Sequence, residues 1–129
     1  MCLVLVVDDD AQHLGIRKLL LEAAGHQVAV AENAPQARRL LEELRPDVLV
    51  TDLRLPKLKD GLSLIRWVDE QRLAAKIIVL SGWTEELCDR PEEKLVACVL
   101  GKPIRNDRLL EAINAAVSSP ARSLPQAAS

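Results

Sequence analysis

The sequence predicts a doubly wound α/β domain, in which helices cover both faces of a five-stranded parallel sheet. Five short runs are almost purely aliphatic, at residues 3–7, 28–31, 48–51, 77–80 and 96–100. They lack the in-and-out alternation of a sheet with one solvated face and are typical of strands buried on both faces. Segments with apolar residues at helical spacing separate the runs, so strand and helix alternate along the chain.

The first two helices have clear boundary signals. Gly25 follows the first helix in the position where a left-handed residue ends a helix, and Asn33 with Pro35 opens the second. The apolar residues predicted to face the sheet are Ile16, Leu19, Leu20 and Ala23 in the first helix, and Ala34, Ala37, Leu40, Leu41 and Leu44 in the second.

The later helices are less uniform. The apolar positions are Leu62, Ile65 and Val68 in the third helix, and Leu109, Ile113, Ala116 and Val117 in the last, which Asn106 or Asp107 can cap. Between them, residues 84–94 hold few apolar side chains and Pro91 would interrupt a helix, so we expect a short or irregular fourth helix. We assign residues 1–118 to the folded domain and residues 119–129 to a flexible tail or the start of a linker.

Length and composition set the broad class. A chain of 129 residues accommodates one domain. It has no Phe and no Tyr but 49% hydrophobic residues, so the core must be aliphatic. The formal net charge is −2 with both signs interspersed, which argues against direct binding of nucleic acid, because such binding normally needs a basic surface.

The cysteines and the opening residues indicate a compartment. Cys2, Cys88 and Cys98 have no metal-ligand spacing and are odd in number, which argues against a disulfide framework. The opening apolar run reaches aspartates after seven residues, so it predicts neither a signal peptide nor a membrane span. We therefore expect a cytoplasmic protein that does not bind membranes.

Polar residues follow four of the predicted strands. The carboxyl ends of parallel strands meet at one edge of a sheet, where such folds bind ligands. Any one aspartate there could be an ordinary helix cap, but the set together predicts a site. Its members are Asp8, Asp9 and Asp10 after the first strand, Asp52 after the third, Ser81 after the fourth and Lys102 after the fifth.

The chemistry of this set favours magnesium and phosphoryl transfer. Clustered carboxylates repel one another unless a cation compensates them, and an oxygen-only cluster suits Mg²⁺. No His or Cys joins the set, which disfavours zinc. An ionised Asp52 can attack phosphorus to give an aspartyl phosphate, while Lys102 and Ser81 can stabilise charge on the phosphoryl oxygens.

Five segments, in this order, resemble the receiver domain of bacterial response regulators, the CheY-like module phosphorylated in two-component signalling. They are VLVVDDD (4–10), RPDVLVTDLRLP (45–56), DGLSLI (60–65), IIVLSG (77–82) and GKPIRNDRLLEAI (101–113). The likeness covers about residues 3–117. It implies the flavodoxin-like (βα)5 arrangement with strand order 2-1-3-4-5.

The resemblance also implies roles for the acidic residues. Asp52 would be the phosphoacceptor, Asp9 a direct Mg²⁺ ligand, and Asp8 a second acidic residue that acts on the metal partly through water. The backbone carbonyl of Arg54 would be a further metal ligand.

Two more roles and a set of partners follow from the same resemblance. Ser81 would be the switch hydroxyl and Lys102 the phosphate-contacting base, with the bond from Lys102 to Pro103 a candidate cis peptide. The phosphodonor would be a sensor histidine kinase or a phosphotransfer protein. The target would be a downstream protein or a C-terminal output domain missing from this chain, and homodimerisation is a further option.

The chain departs from the receiver pattern at Val99. Receivers commonly carry Tyr or Phe three residues before the lysine, and this ring turns inward as the Ser or Thr hydroxyl moves to the phosphate. Val99 offers no such ring. Either backbone movement of residues 81–83 transmits the signal, or activation is weakly coupled to phosphorylation.

Other positions near the site could have a functional role or be ordinary surface residues. Arg54 and Trp83 lie two residues beyond the acceptor and the hydroxyl, where side chains tend to tune hydrolysis in receivers, but both could be ordinary surface residues. The loop at residues 56–61 is one residue longer than usual, and we expect its basic pair, Lys57 and Lys59, to be solvated. We expect His13 to be a solvent-facing helix residue and not a phosphodonor.

The leading hypothesis is a phosphoacceptor switch, with Mg²⁺-dependent transfer from a phosphohistidine to Asp52 that changes contacts with a partner. Such a protein modifies itself and is not a turnover enzyme. One alternative is an interaction module that works without phosphorylation, for which Val99 is the motivating feature. A less favoured alternative is a small aspartyl-phosphate phosphohydrolase, because 129 residues leave no room for a substrate cap.

Overall fold

A computed structural model describes residues 2–55, 57–82 and 84–118, with the side chains of residues 84, 85 and 118 left out. Five parallel strands form one sheet in the order β2-β1-β3-β4-β5, which confirms the predicted fold. The strands are β1 (Leu3–Val7), β2 (Gln27–Ala31), β3 (Val48–Asp52), β4 (Lys76–Ser81) and β5 (Cys98–Gly101). The proposed tail at residues 119–129 lies outside the described residues.

Four α-helices and two short 3-10 helices connect the strands. The α-helices are α1 (Ala11–Ala23), α2 (Ala34–Leu44), α3 (Leu58–Glu70) and α4 (Asn106–Ser118). The 3-10 helices, Thr84–Leu87 and Pro91–Leu95, stand where a fourth α-helix would cover β4 and β5, so the expected short or irregular element is confirmed. Pro91 begins the second of them, a position that needs no backbone N–H.

The core has two aliphatic layers, one on each face of the sheet. One layer joins the sheet to α1 and α4, and the other joins it to α2, α3 and the first 3-10 helix. The central strands β1, β3 and β4 are buried almost throughout, whereas the edge strands β2 and β5 are partly exposed. The central runs at residues 3–7 and 77–80 consist of Leu, Ile and Val, whereas the edge run at residues 28–31 alternates Val with the smaller Ala.

Of the residues predicted for the apolar face of α1, only Leu20 packs against the core, and Ala23 is exposed. Ile16 and Leu19 are 62% and 71% exposed, while the buried residues are Leu14 and Leu21. Positions 14, 17 and 21 lie on one face of a helix, so Arg17 occupies the inward stripe between the two leucines. Arg17 on this side of the helix contacts Asp8.

Several predicted helix ends are confirmed. Gly25 has φ of 97°, and the Asn33 carboxamide oxygen accepts the Gln36 N–H at 2.8 Å. The cap prediction for α4 needs correction, because the helix begins at Asn106 itself and Asp107 lies within its first turn. An acidic side chain is still favourable there, since it meets the positive end of the helix dipole.

The packing of α3 depends on a glycine. A Cβ atom at Gly61 would lie 1.7 Å from the backbone carbonyl oxygen of Leu53, just after β3. Only glycine therefore allows α3 to approach so close to the carboxyl end of the strand that ends in Asp52.

No helix in the described ranges is long and apolar enough to cross a bilayer.

Candidate functional site

Three carboxylates meet at the carboxyl edge of the sheet, as predicted. Asp8 and Asp9 follow β1, and Asp52 is the last residue of the neighbouring strand β3. One oxygen from each of the three lies within 4.8 Å of the others. Asp8 and Asp52 are buried, with 1% and 3% exposure, whereas Asp9 is exposed to solvent.

Lys102 brings a positive charge to this cluster. Its backbone N–H donates to the Ser81 carbonyl at 2.9 Å, which holds the start of the loop after β5 against the end of β4. Its Nζ lies 2.8 Å from Asp52 Oδ1 and forms an ion pair across the end of β4. The peptide bond from Lys102 to Pro103 is cis, as the sequence led us to expect.

Burial raises the pKa of Asp52 to about 6, since desolvation penalises its charged form. The neighbouring Asp8 carboxylate adds to this increase of the Asp52 pKa, and the Lys102 ammonium opposes it. A substantial fraction of Asp52 is therefore protonated just below neutral pH when no other cation is bound.

Asp8 behaves in the opposite way. Burial alone would raise its pKa, but hydrogen bonding with the Asp52 carboxyl, the Asp10 N–H and the Arg17 guanidinium lowers that pKa below its usual value. The two carboxyls share one proton most favourably when Asp52 carries it. Asp8 is thus the member of the buried pair that loses its proton first as pH rises.

The residues of this cluster fit a magnesium ion. The donor set consists only of carboxylate oxygens, which are the ligands that Mg²⁺ prefers. Asp52 Oδ1 is buried and accepts no well-aligned hydrogen bond, although the Lys102 ammonium lies close to it. A cation at this edge would satisfy that oxygen and offset the repulsion between the carboxylates.

Ser81 lies at the end of β4, beside the acceptor strand, and its hydroxyl is tied to Glu86 of the first 3-10 helix. In the sheet Asp52 is paired with Leu80, so Ser81 follows one residue beyond. Ser81 Oγ donates to Glu86 Oε1 at 3.1 Å, and the Arg54 guanidinium donates to Glu86 Oε2. Glu86 thus accepts hydrogen bonds from two of the side chains that the sequence assigned to the site.

The structure brings together Asp8, Asp9, Asp52 and Lys102, with Ser81 at the end of the adjacent strand. Asp10 belongs to α1 instead, because its carboxylate accepts the N–H of Gln12 at 2.9 Å and caps the helix. The Arg54 side chain is 54% exposed, and the role of its carbonyl as a metal ligand stays a prediction. Trp83 lies outside the described residues.

Val99 lies in β5, paired with Val79, and packs against the core layer that faces α3. Its side chain is partly buried, so it belongs to the wall of the domain and not to the cluster of carboxylates. The tuning roles predicted for Arg54, Trp83 and Val99 remain predictions.

Three residues near the site were not predicted from the sequence: Arg17 and Glu86 were missed, and His13 was expected only to face solvent. His13 is half-exposed, but its Nδ1 lies 3.3 Å from Asp8 Oδ2. The spacing of His13 and Arg17 from Asp8 along the first helix could have indicated that both face the strand end. Glu86 gave no such signal, because its contacts depend on the path of an irregular segment.

Comparison with known proteins agrees with this geometry. Residues 4–114 match the family described as the response regulator receiver domain. The virulence transcriptional regulatory protein PhoP of Salmonella typhimurium is 40% identical over 87 residues, which cover 65% of this chain. The match spans 38% of the length of that relative.

Solved structures show the same fold. A response regulator receiver domain protein from Clostridium thermocellum is similar with a TM-score of 0.82 and 28% identity, covering 91% of this chain and 94% of that one. The response regulator TrrA from Thermotoga maritima, crystallised in complex with Mg(2+)-BeF, gives a TM-score of 0.80 at 23% identity, with 90% and 99% covered. This chain belongs to the response regulator receiver domain family of two-component signalling systems.

Proposed function

We propose that this receiver accepts a phosphoryl group on Asp52 and changes its contacts with a partner as a result. The observation that carries the proposal is the ion pair between the Lys102 ammonium and the buried Asp52 carboxylate, beside Asp8 and Asp9. A buried carboxylate with an adjacent cation is a nucleophile whose developing product charge has a counterion already in place.

Each residue of the cluster then has a task. The Asp52 carboxylate attacks phosphorus, and the bond from phosphorus to the imidazole nitrogen of the donor breaks, with its electron pair left on that nitrogen. The Lys102 ammonium, 2.8 Å from Oδ1, is close enough to compensate a phosphoryl oxygen. The Ser81 hydroxyl supplies a hydrogen-bond donor from the next strand end. Asp8 and Asp9, with the backbone carbonyl of Arg54, would hold Mg²⁺.

When bound, Mg²⁺ supplies a counter-charge for the carboxylates and for the phosphoryl oxygens. The crystal structure of TrrA, a protein of the same fold, was obtained with Mg(2+)-BeF, and this supports a comparable site here. The phosphodonor we propose is a phosphohistidine of a sensor histidine kinase or a phosphotransfer protein. We propose that the output is read by a partner protein, an output domain or a second copy of the chain.

Phosphorylation of the 129-residue chain tests the proposal. The chain is incubated with Mg²⁺ and acetyl phosphate, and the intact mass is measured. We expect one added phosphoryl group on the wild-type chain and on Asp69→Asn, which removes an exposed carboxylate of α3. We expect none on Asp52→Asn, and equal labelling of Asp52→Asn and the wild type would refute the proposal.

A second candidate, an interaction module that works without phosphorylation, is favoured by Val99 alone. Beryllofluoride separates the two, because it mimics the phosphoryl group without chemistry. A phosphorylation switch should change hydrogen exchange of residues beyond the cluster when beryllofluoride binds. Binding without any such change would favour the second candidate. We expect no multiple turnover on phosphate esters, in keeping with a protein that modifies only itself.

A further inference from the structure

Asp8 has partners at both of its oxygens before any metal binds. Oδ1 accepts the Asp10 N–H at 2.8 Å. Oδ2 lies 2.5 Å from Arg17 Nη1 and 3.3 Å from His13 Nδ1. Because Asp8 is only 1% exposed, water does not compete freely for these oxygens. A metal ion that uses Asp8 must therefore share or displace a cationic partner.

Arg17 is held in place by the helix that carries it. Its side chain is 14% exposed and lies in the inward stripe of α1 between Leu14 and Leu21. The same helix leaves Ile16 and Leu19 in solvent, at 62% and 71% exposure. The core contacts of α1 come from Leu14, Leu20 and Leu21, and the Arg17 charge on the same side meets Asp8.

Lys102 and Arg17 place their positive charges on different carboxylates of the cluster. Among the residues that the structure describes, three carboxylates face Lys102 on Asp52 and Arg17 on Asp8, and the His13 ring also reaches Asp8. The Lys102 charge lies on the acceptor residue, where the phosphoryl group is proposed to bind. The Arg17 charge lies on a proposed metal ligand, where it repels a divalent cation through a poorly solvated environment.

We propose that Arg17 is an internal counterion of the acidic cluster that competes with Mg²⁺ for Asp8 and thereby sets the metal affinity of the receiver. This inference rests on the metal site of the proposed function, but it does not depend on phosphorylation. It identifies Arg17 as a residue that determines how much Mg²⁺ the protein needs before Asp52 can react.

Metal binding by three variants, two at Arg17 and one at Lys18, tests the inference. MgCl₂ is titrated into each metal-free chain, and binding is measured by calorimetry and by the increase of the thermal midpoint. Arg17→Met keeps the length and apolar stem of the side chain but removes its charge. We expect it to bind Mg²⁺ roughly tenfold more tightly than the wild type, which corresponds to about 1.4 kcal/mol.

Two control variants separate charge from packing. Arg17→Lys keeps the charge and should bind Mg²⁺ with an affinity close to that of the wild type. Lys18→Met removes a basic residue of the same helix that faces Glu22 at 3.7 Å, away from the cluster, and should leave the affinity unchanged. Circular dichroism of each variant confirms that the fold is kept.

The outcomes distinguish this inference from the proposed function. If the wild type binds Mg²⁺ and Arg17→Met binds it equally or more weakly, Arg17 does not compete with the metal and the inference is overturned. If neither the wild type nor any variant binds Mg²⁺, the metal site itself is wrong, and the proposed function loses that part as well.

Discussion

Replacing Asp52 with asparagine should stabilise the metal-free protein at neutral pH. Asp52 has a pKa of about 6 in the folded chain, against an ordinary value of 3.8, because it is desolvated and lies beside Asp8. Above both values the group is ionised in the folded and unfolded states alike, and holding that charge in the folded state costs stability. The difference between the two pKa values corresponds to about 3 kcal/mol, at about 1.4 kcal/mol per pH unit.

The sign of the pH dependence follows from the same values. As pH falls through about 6 the folded protein takes up a proton on Asp52 before the unfolded chain does, so the cost disappears progressively towards 3.8. The asparagine side chain of the variant carries no charge at any pH. We therefore expect Asp52→Asn to be more stable than the wild type by about 1 to 3 kcal/mol at about pH 7.5, and by much less at about pH 4.5.

Urea denaturation with circular dichroism measures this difference in the presence of a chelator, at constant ionic strength and a series of pH values. Carboxyl groups remote from the cluster titrate alike in both proteins, so the difference between the two free energies of unfolding reports on Asp52 together with its partner Asp8. Asp69→Asn, on the exposed side of α3, serves as the control and should show no comparable pH-dependent gain. A gain for Asp52→Asn that is independent of pH, or that grows as pH falls, would refute the reasoning.

Three further predictions concern single side chains. In thermal melts with and without Mg²⁺, millimolar Mg²⁺ should raise the thermal midpoint of the wild type, and Asp9→Ala should lose most of this increase. Asp10→Ala should keep the increase but lose about 1 kcal/mol of stability, because it removes the cap of α1. Gly61→Ala should lower the free energy of unfolding, measured by urea denaturation, by about 2 kcal/mol or more, because its Cβ meets a backbone carbonyl. Gly15→Ala in α1, whose Cβ meets nothing within 4 Å, should raise that free energy by about 1 kcal/mol. Glu86→Ala should bind beryllofluoride about two- to tenfold more tightly in a fluorescence titration, because it no longer competes for the Ser81 hydroxyl; equal or weaker binding would contradict that view.

The sheet could be predicted because its central strands leave few alternatives. Runs such as residues 3–7 and 77–80 are buried on both faces, and only parallel strands between two helix layers tolerate such continuous apolar sequence. The same logic placed Asp8, Asp52, Ser81 and Lys102 at one edge, since the end of each buried run is also the end of a strand. Strand ends therefore located the site before any contact was known.

The orientation of α1 could not be predicted in this way. Counting apolar residues favoured Ile16 and Leu19 as the inward face, but the helix follows Leu14, Arg17 and Leu21 instead. An arginine counts as polar in any hydrophobic pattern, although its stem packs in the core and only its guanidinium needs a partner. The partner of the Arg17 guanidinium, Asp8, lies at the end of β1, so this contact cannot be read from the helix sequence alone.

The path of the fourth connection joins the Ser81 hydroxyl to the core layer that Val99 contacts. Glu86 accepts a hydrogen bond from the Ser81 hydroxyl, and the next residue is Leu87. Leu87 is 1% exposed and lies in the core layer that Val99 also contacts. If the Ser81 hydroxyl turned from Glu86 to a phosphoryl oxygen, the Glu86 carboxylate, whose side chain is 12% exposed, would lose a partner one residue from Leu87. We expect the first 3-10 helix, rather than a ring at position 99, to carry any change that follows phosphorylation.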